Sequence, residues 1–189
     1  MTHPTCLVLL NPGAEEIETM AVADILVRAG VSVTIAATAG GAIRGSRELP
    51  LAADTTLPEV ADDPFDCIYL PGGMGSADHA CNDLAVQNII AKQLAGSGIL
   101  AIICASPKAL LPKGLGKGRT VTCYPALRDL VEPEVGKWLD QPVVWDGNLV
   151  TSQGPGTAME LGFHLAARLC GVEVAQQVAK DMLLTWAPA

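Results

Sequence analysis

Basic residues are scarce in this sequence: 12 Lys and Arg stand against 20 Asp and Glu, a net charge of −8. The few cations form no cluster. Nucleic-acid binding through phosphate neutralisation and docking on an anionic membrane surface are therefore both disfavoured. Long hydrophobic runs are missing too, since no stretch approaches the roughly 20 apolar residues of a membrane span. The first apolar run, Cys6 to Leu10, is too short for the core of a secretory leader and stops at Asn11-Pro12. There is no CxxC spacing. Six cysteines (Cys6, Cys67, Cys81, Cys104, Cys123, Cys170) are scattered through strand and helix patterns, which favours reduced thiols in a cytoplasmic protein over a disulfide framework. No metal site is apparent. His3 is terminal, His79 falls in a loop, and His164 lies inside a helix pattern with no His or Cys four residues on. No Gly-Lys-Ser/Thr follows the glycine-rich turn at Pro71, so that turn is not a nucleotide phosphate loop, and no cofactor is expected. No internal repeat, linker or low-complexity stretch divides the chain, and one domain over residues 1–189 is the expectation.

What is present is a regular alternation. Half of the residues are apolar. Continuous apolar runs at Thr5–Leu10, Val31–Ala37, Asp66–Leu70 and Ile99–Ile103 predict strands buried on both faces. Amphipathic stretches at Glu15–Ala29, Asn82–Leu94, Ala105–Leu111, Thr157–Leu169 and Glu173–Leu184 predict helices between and after them. Arg119–Thr122 reads as a strand and Pro125–Val131 as a short helix. Glu48–Leu51 reads as an edge strand at best because of Pro50. Pro142–Trp145 and Asn148–Thr151 flank Asp146-Gly147, a hairpin signal. Strand–helix alternation predicts right-handed βαβ units in a mostly parallel sheet, an α/β fold of three layers, helix on sheet on helix. Sites in such sheets lie beyond the carboxyl ends of the strands. Here those ends are Asn11–Gly13, Pro71–Gly75, Cys104–Ala105 and Cys123–Pro125.

Cys104 stands out at these ends. It follows the apolar strand Ile99–Ile103 and directly precedes a predicted helix, so it is expected in a tight, strained turn, a nucleophile elbow. Backbone N–H groups of the following helix would face its sulfur and favour the thiolate. Cys6, Cys67 and Cys170, inside strand or helix patterns, read as structural, and Cys123 stays open between the two roles. Glu18 heads a helix face continued by Val22, Ile25 and Ala29. Burial there would raise its pKa, and a protonated Glu can donate a hydrogen bond to a neighbouring sulfur. Alternatively Glu18 lies at a subunit interface or reaches out to solvent. Glu15 and Glu16 read as ordinary first-turn acids. Pro71-Gly72-Gly73-Met74-Gly75 can bring backbone N–H groups close to an oxyanion. Gly154-Pro155-Gly156-Thr157 is either a second such corner or a helix cap.

Several segments together resemble the ThiJ/PfpI superfamily, in the branch of the parkinsonism-associated protein and the bacterial YajL-type proteins. They are Gly13-Ala14-Glu15-Glu16-Ile17-Glu18-Thr19, Arg28-Ala29-Gly30, Ser46-Arg47, Leu70-Pro71-Gly72-Gly73, Ala101-Ile102-Ile103-Cys104-Ala105 and Thr151-Ser152-Gln153-Gly154-Pro155-Gly156-Thr157. The resemblance spans essentially the whole chain. It implies a flavodoxin-like sandwich that forms a homodimer. It makes Cys104 the reactive cysteine and Glu18 its hydrogen-bonding acid, with Gly72, Gly73 and Ala105 binding an oxyanion. It places Arg28, Arg47, Tyr124 and Pro155 in support, the two arginines near the site at the dimer interface. The implied activities are glutathione-independent glyoxalase and deglycase, acting on a small dicarbonyl or a glycated protein. The alternative roles it implies are a peroxide sensor and a redox-regulated chaperone. Two positions depart from the pattern. Tyr124 precedes Pro125 where several members carry histidine, and Ala52 stands where a second, peripheral redox cysteine occurs. Tyrosine is a poor base near neutral pH, so proton transfer falls to Glu18.

Overall fold

Three of the apolar runs become neighbouring strands at the centre of one sheet, each buried along nearly its whole length. The computed structural model describes residues 3–188. The chain runs β1 (Thr5–Leu10), α1 (Glu16–Arg28), β2 (Ser32–Ala37), β3 (Ile43–Arg44), β4 (Pro50–Leu51), β5 (Thr55–Thr56), α2 (Leu57–Val60), β6 (Cys67–Leu70), α3 (Met74–Asn82), α4 (Leu84–Ala95), β7 (Ile99–Ile103), β8 (Thr120–Val121), α5 (Arg128–Val131), β9 (Lys137–Trp138), β10 (Val143–Asp146), β11 (Leu149–Ser152), α6 (Ala158–Cys170) and α7 (Val172–Asp181). The main sheet has the order β10-β11-β7-β6-β1-β2-β5. Every pairing in it is parallel except the β10–β11 hairpin at one edge. The mostly parallel three-layer architecture expected from the alternation is what forms.

Side chains of successive strand residues point to opposite faces, so each central strand serves two cores. Cys6 and Val8 of β1, Tyr69 of β6 and Ala101 and Ile103 of β7 pack with Val22, Ile25 and Leu26 of α1 and Leu161 and Leu165 of α6. Leu7, Leu9, Ile68, Leu70, Leu100 and Ile102 face the other way, onto Val86, Ile89 and Ile90 of α4 and Leu110. The helices α1 and α6 approach closely at Gly162. A Cβ there would lie 2.9 Å from Ile25 Cδ1. This close crossing fixes the axis of α1, the helix that carries Glu18.

Two sequence expectations are corrected and one helix is added. The predicted helix over Asn82–Leu94 forms as α4, and α3, which the sequence pattern does not predict, precedes it. Asp83 ends α3 and caps α4, its side chain accepting a hydrogen bond from the Val86 N–H at 3.0 Å. The predicted helix Ala105–Leu111 is a five-residue 3-10 helix, Ser106–Leu110, with Pro107 in its first turn. Only Pro50–Leu51 of the predicted strand Glu48–Leu51 is extended, because the chain at Glu48 turns with φ of 64°. Among the described residues, no helix is long and apolar enough to cross a membrane.

Candidate active site

The strand β7 ends against the sheet's carboxyl edge, and the next residue is Cys104. Its φ is 63°, a left-handed conformation that costs a non-glycine residue about 1 kcal/mol or more. Two backbone hydrogen bonds hold it there. Its N–H donates to the Ser152 carbonyl at 2.9 Å, and its own carbonyl accepts from the Tyr124 N–H at 2.7 Å. The buried Ser106 hydroxyl adds a third tie to the turn, donating to the Pro71 carbonyl at 2.6 Å. The strained elbow expected from the sequence is therefore present and is braced from both neighbouring segments.

Glu18 lies in the first turn of α1 and is fully buried. Its Oε2 accepts from the Gly72 N–H at 2.7 Å. Its own N–H donates to Glu15 Oε2, and its carbonyl accepts from the buried Tyr69 hydroxyl at 3.1 Å. Its carboxyl adjoins the Cys104 side chain across Gly72, while Oε1 has no hydrogen-bond partner. Of the two roles open at the sequence level, Glu18 takes the one beside sulfur. Gly72 is what lets the two meet. A Cβ at Gly72 would lie 2.5 Å from both Cys104 Cβ and Glu18 Oε2. Gly73, with φ of 92°, occupies a conformation that favours glycine. Its N–H and that of Ala105 both face the Cys104 sulfur.

The electrostatics differ from the sequence expectation. Burial pushes the Cys104 thiol up, and the neighbouring Glu18 charge pushes it further, to about 12. The N–H groups of Gly73 and Ala105 pull the other way without overcoming this. The expected helix start is a short 3-10 turn that contributes the Ala105 N–H and no long helix dipole, while the Gly73 N–H comes from the turn before α3. Burial likewise raises the Glu18 carboxyl, to about 7, against the lowering effect of the Cys104 and Gly72 hydrogen bonds. As pH rises through about 7 the pair therefore passes from two protons to one. An ionised sulfur requires that proton to sit on Glu18, where it ends the repulsion and can be donated back to sulfur.

Cys104 opens into a cavity of about 490 Å³ whose lining includes Gly73, Ala105, Met74, Arg47, Tyr124 and Pro155. Most expected site residues thus converge: Cys104, Glu18, Gly72, Gly73 and Ala105 at the sulfur, and Arg47, Tyr124 and Pro155 around the cavity. Arg28 does not join them within this chain. It lies ten residues beyond Glu18 on α1, about 15 Å along the axis, and pairs with Asp24 on the surface at 2.6 Å. His79 is on α3, 3.6 Å from Asp83, and does not line the cavity. Cys123 is buried in the opposite core, its sulfur accepting from the Trp138 indole N–H at 3.4 Å. Among the described residues, no group of three His, Cys, Asp or Glu side chains is placed to hold a metal ion.

Glu16 corrects another expectation. It is no simple first-turn acid. Its carboxylate accepts from the Arg47 N–H at 2.7 Å, the Ser46 hydroxyl at 3.1 Å and the Leu49 N–H at 3.4 Å. Burial alone would raise its pKa, but these bonds outweigh burial and hold the carboxyl below its usual range. Glu16 thereby fixes the loop that brings Ser46 and Arg47 to the cavity. Helical periodicity cannot reveal this, because the partners lie about thirty residues away. We expect Glu16→Ala to lower stability by about 1–3 kcal/mol, since three part-buried hydrogen bonds to one charged carboxylate are lost together. Chemical denaturation checks this, and an unchanged midpoint would contradict it.

A sequence model of the DJ-1/PfpI family matches residues 4–168. The chain belongs to the DJ-1/PfpI family. Among its curated relatives, protein dj-1beta of Drosophila melanogaster is 41% identical over 183 residues, covering 96% of this chain and 98% of that one. The glutathione-independent glyoxalase DJR-1.2 of Caenorhabditis elegans is 33% identical over 185 residues, 95% of this chain and 96% of that one. The crystal structure of Drosophila melanogaster DJ-1beta superposes with a TM-score of 0.94 at 40% identity, covering 98% of this chain and 100% of that one. The flavodoxin-like sandwich of the DJ-1/PfpI family is thus the fold of this chain.

Proposed function

We propose that this protein is a glutathione-independent glyoxalase that converts methylglyoxal or glyoxal to the corresponding hydroxy acid, with Cys104 as nucleophile and Glu18 as proton carrier. The observation that carries the reading is the contact between a strained cysteine opening into a cavity and a fully buried carboxyl whose pKa lies near neutrality. Sulfur adds to the aldehyde carbon, and the thiol proton passes by way of Glu18 to the new alkoxide, giving a hemithioacetal. The N–H groups of Gly73 and Ala105, already aimed at sulfur, lie close enough to stabilise charge developing on the adjacent oxygen. Glu18 then takes the proton from the former aldehyde carbon and returns it to the neighbouring carbon, while the hemithioacetal hydroxyl proton passes to the second carbonyl oxygen, leaving a thioester of the 2-hydroxy acid. Water hydrolyses the thioester, releasing lactate or glycolate and restoring the thiol. Neither electrons nor atoms are needed beyond substrate and water.

A glycated protein side chain is the larger substrate the same chemistry admits, since the cavity is open to solvent. In this reading the protein works in the cytoplasm, as a homodimer, in protection against carbonyl and oxidative stress. The deciding test is lactate formation from methylglyoxal by the purified chain with glutathione excluded. Stoichiometric lactate is expected. Its absence, with the folded protein at high concentration, would overturn the reading.

A further inference from the structure

The cavity beside Cys104 is far larger than methylglyoxal fills. Its volume, about 490 Å³, falls in the range that holds drug-sized ligands. Three apolar side chains converge on it: Met74 from the start of α3, Tyr124 after β8, and Pro155 before α6. Met74 and Tyr124 are half exposed, at 51% and 46%. Isolated apolar side chains on a surface need no explanation, but several around one nucleophile form a surface that gains by being covered. Tyr124 is also held in place relative to the sulfur. Its N–H donates to the Cys104 carbonyl at 2.7 Å, and its ring lies over Gly154, where even a Cβ would reach the ring carbon Cδ2 at 3.6 Å. The Tyr124 ring offers the cavity a flat apolar surface.

We propose that Tyr124, with Met74, makes this site select 2-oxoaldehydes bearing an aryl or bulky apolar substituent over glyoxal. The proposal rests on the dicarbonyl reading above. The reacting aldehyde sits at Cys104 and Glu18, and the substituent on the ketone carbon lies against the Tyr124 ring, where its burial lowers the barrier for large apolar substrates and leaves glyoxal unaffected.

The test compares kcat/KM for glyoxal, methylglyoxal and phenylglyoxal in the full-length protein and in Tyr124→Ala, Tyr124→Phe and Met74→Ala. Intrinsic differences in substrate reactivity cancel when the phenylglyoxal-to-glyoxal ratio of each variant is divided by that of the parent. Tyr124→Ala should lower this ratio by about tenfold or more. Tyr124→Phe should retain it, and Met74→Ala should lower it by a smaller factor. Equal losses on all three substrates in Tyr124→Ala would overturn the proposal while leaving the dicarbonyl reading intact. So would a ratio in Tyr124→Phe as low as in Tyr124→Ala. Failure of the parent protein to turn over any of the three overturns both.

Discussion

Cys104→Ser lowers kcat/KM for methylglyoxal by at least about 10³-fold, with the fold unchanged. Serine is nearly the same size, keeps the backbone hydrogen bond donated to Ser152 and the one accepted from Tyr124, and meets the same left-handed φ of 63°, so its melting behaviour should follow the parent's. What it lacks is a nucleophile that the site can ionise. A hydroxyl cannot give its proton to a carboxyl whose pKa is only about 7. Lactate production measured alongside thermal unfolding separates loss of chemistry from loss of structure. Substantial activity in a folded Cys104→Ser protein would remove Cys104 from the mechanism.

Glu18→Gln has the second large effect, a fall of about 10²–10⁴-fold in rate, the usual range for losing a general acid–base group. It should also alter the pH profile. In the parent, the catalytic pair loses its first proton as pH rises through about 7, so kcat/KM rises across that range. Glutamine cannot titrate, and the rise should vanish. Stability responds in the opposite direction. Glu18 has a folded pKa raised from 4.5 to about 7. Its contribution is therefore fully present below pH 4.5 and is lost as pH rises through 7, by roughly 3 kcal/mol in all. The Glu18→Gln protein should escape this loss, so its stability relative to the parent improves between pH 4.5 and 7.5. Urea midpoints at the two pH values measure the difference. A constant difference would mean that Glu18 titrates as an ordinary carboxyl.

Much of the site was legible in the sequence, and the reason is local. Five apolar residues followed at once by Cys104 define a strand end and a turn, because a strand buried on both faces tolerates no other reading of that run. Glu18 announces itself as a carboxyl heading an apolar helical face, since period 3.6 carries that face inward. What escaped depends on distant contacts. Glu16 reads as a surface acid until the loop at Ser46–Leu49 folds back over it. Arg28 is expected near the site from the resemblance, yet the rise of α1 carries it away from the cavity of its own chain. The sign of the Cys104 shift was misread for a similar reason. Sequence shows a helix start after the cysteine, but not that it is only a five-residue 3-10 turn, nor that Glu18 presses its charge against the sulfur.

The single proton shared by Glu18 and Cys104 is the claim from which the mechanism follows, and the carboxyl reports it directly. Carbon-13 NMR of labelled Glu18, followed against pH in the parent and in Cys104→Ala, should give a midpoint near 7 in the parent. The midpoint should be higher still in the variant, because the thiol's hydrogen bond no longer favours the ionised carboxyl. A midpoint near 4.5, unmoved by Cys104→Ala, would show that carboxyl and thiol ionise independently and would contradict the account.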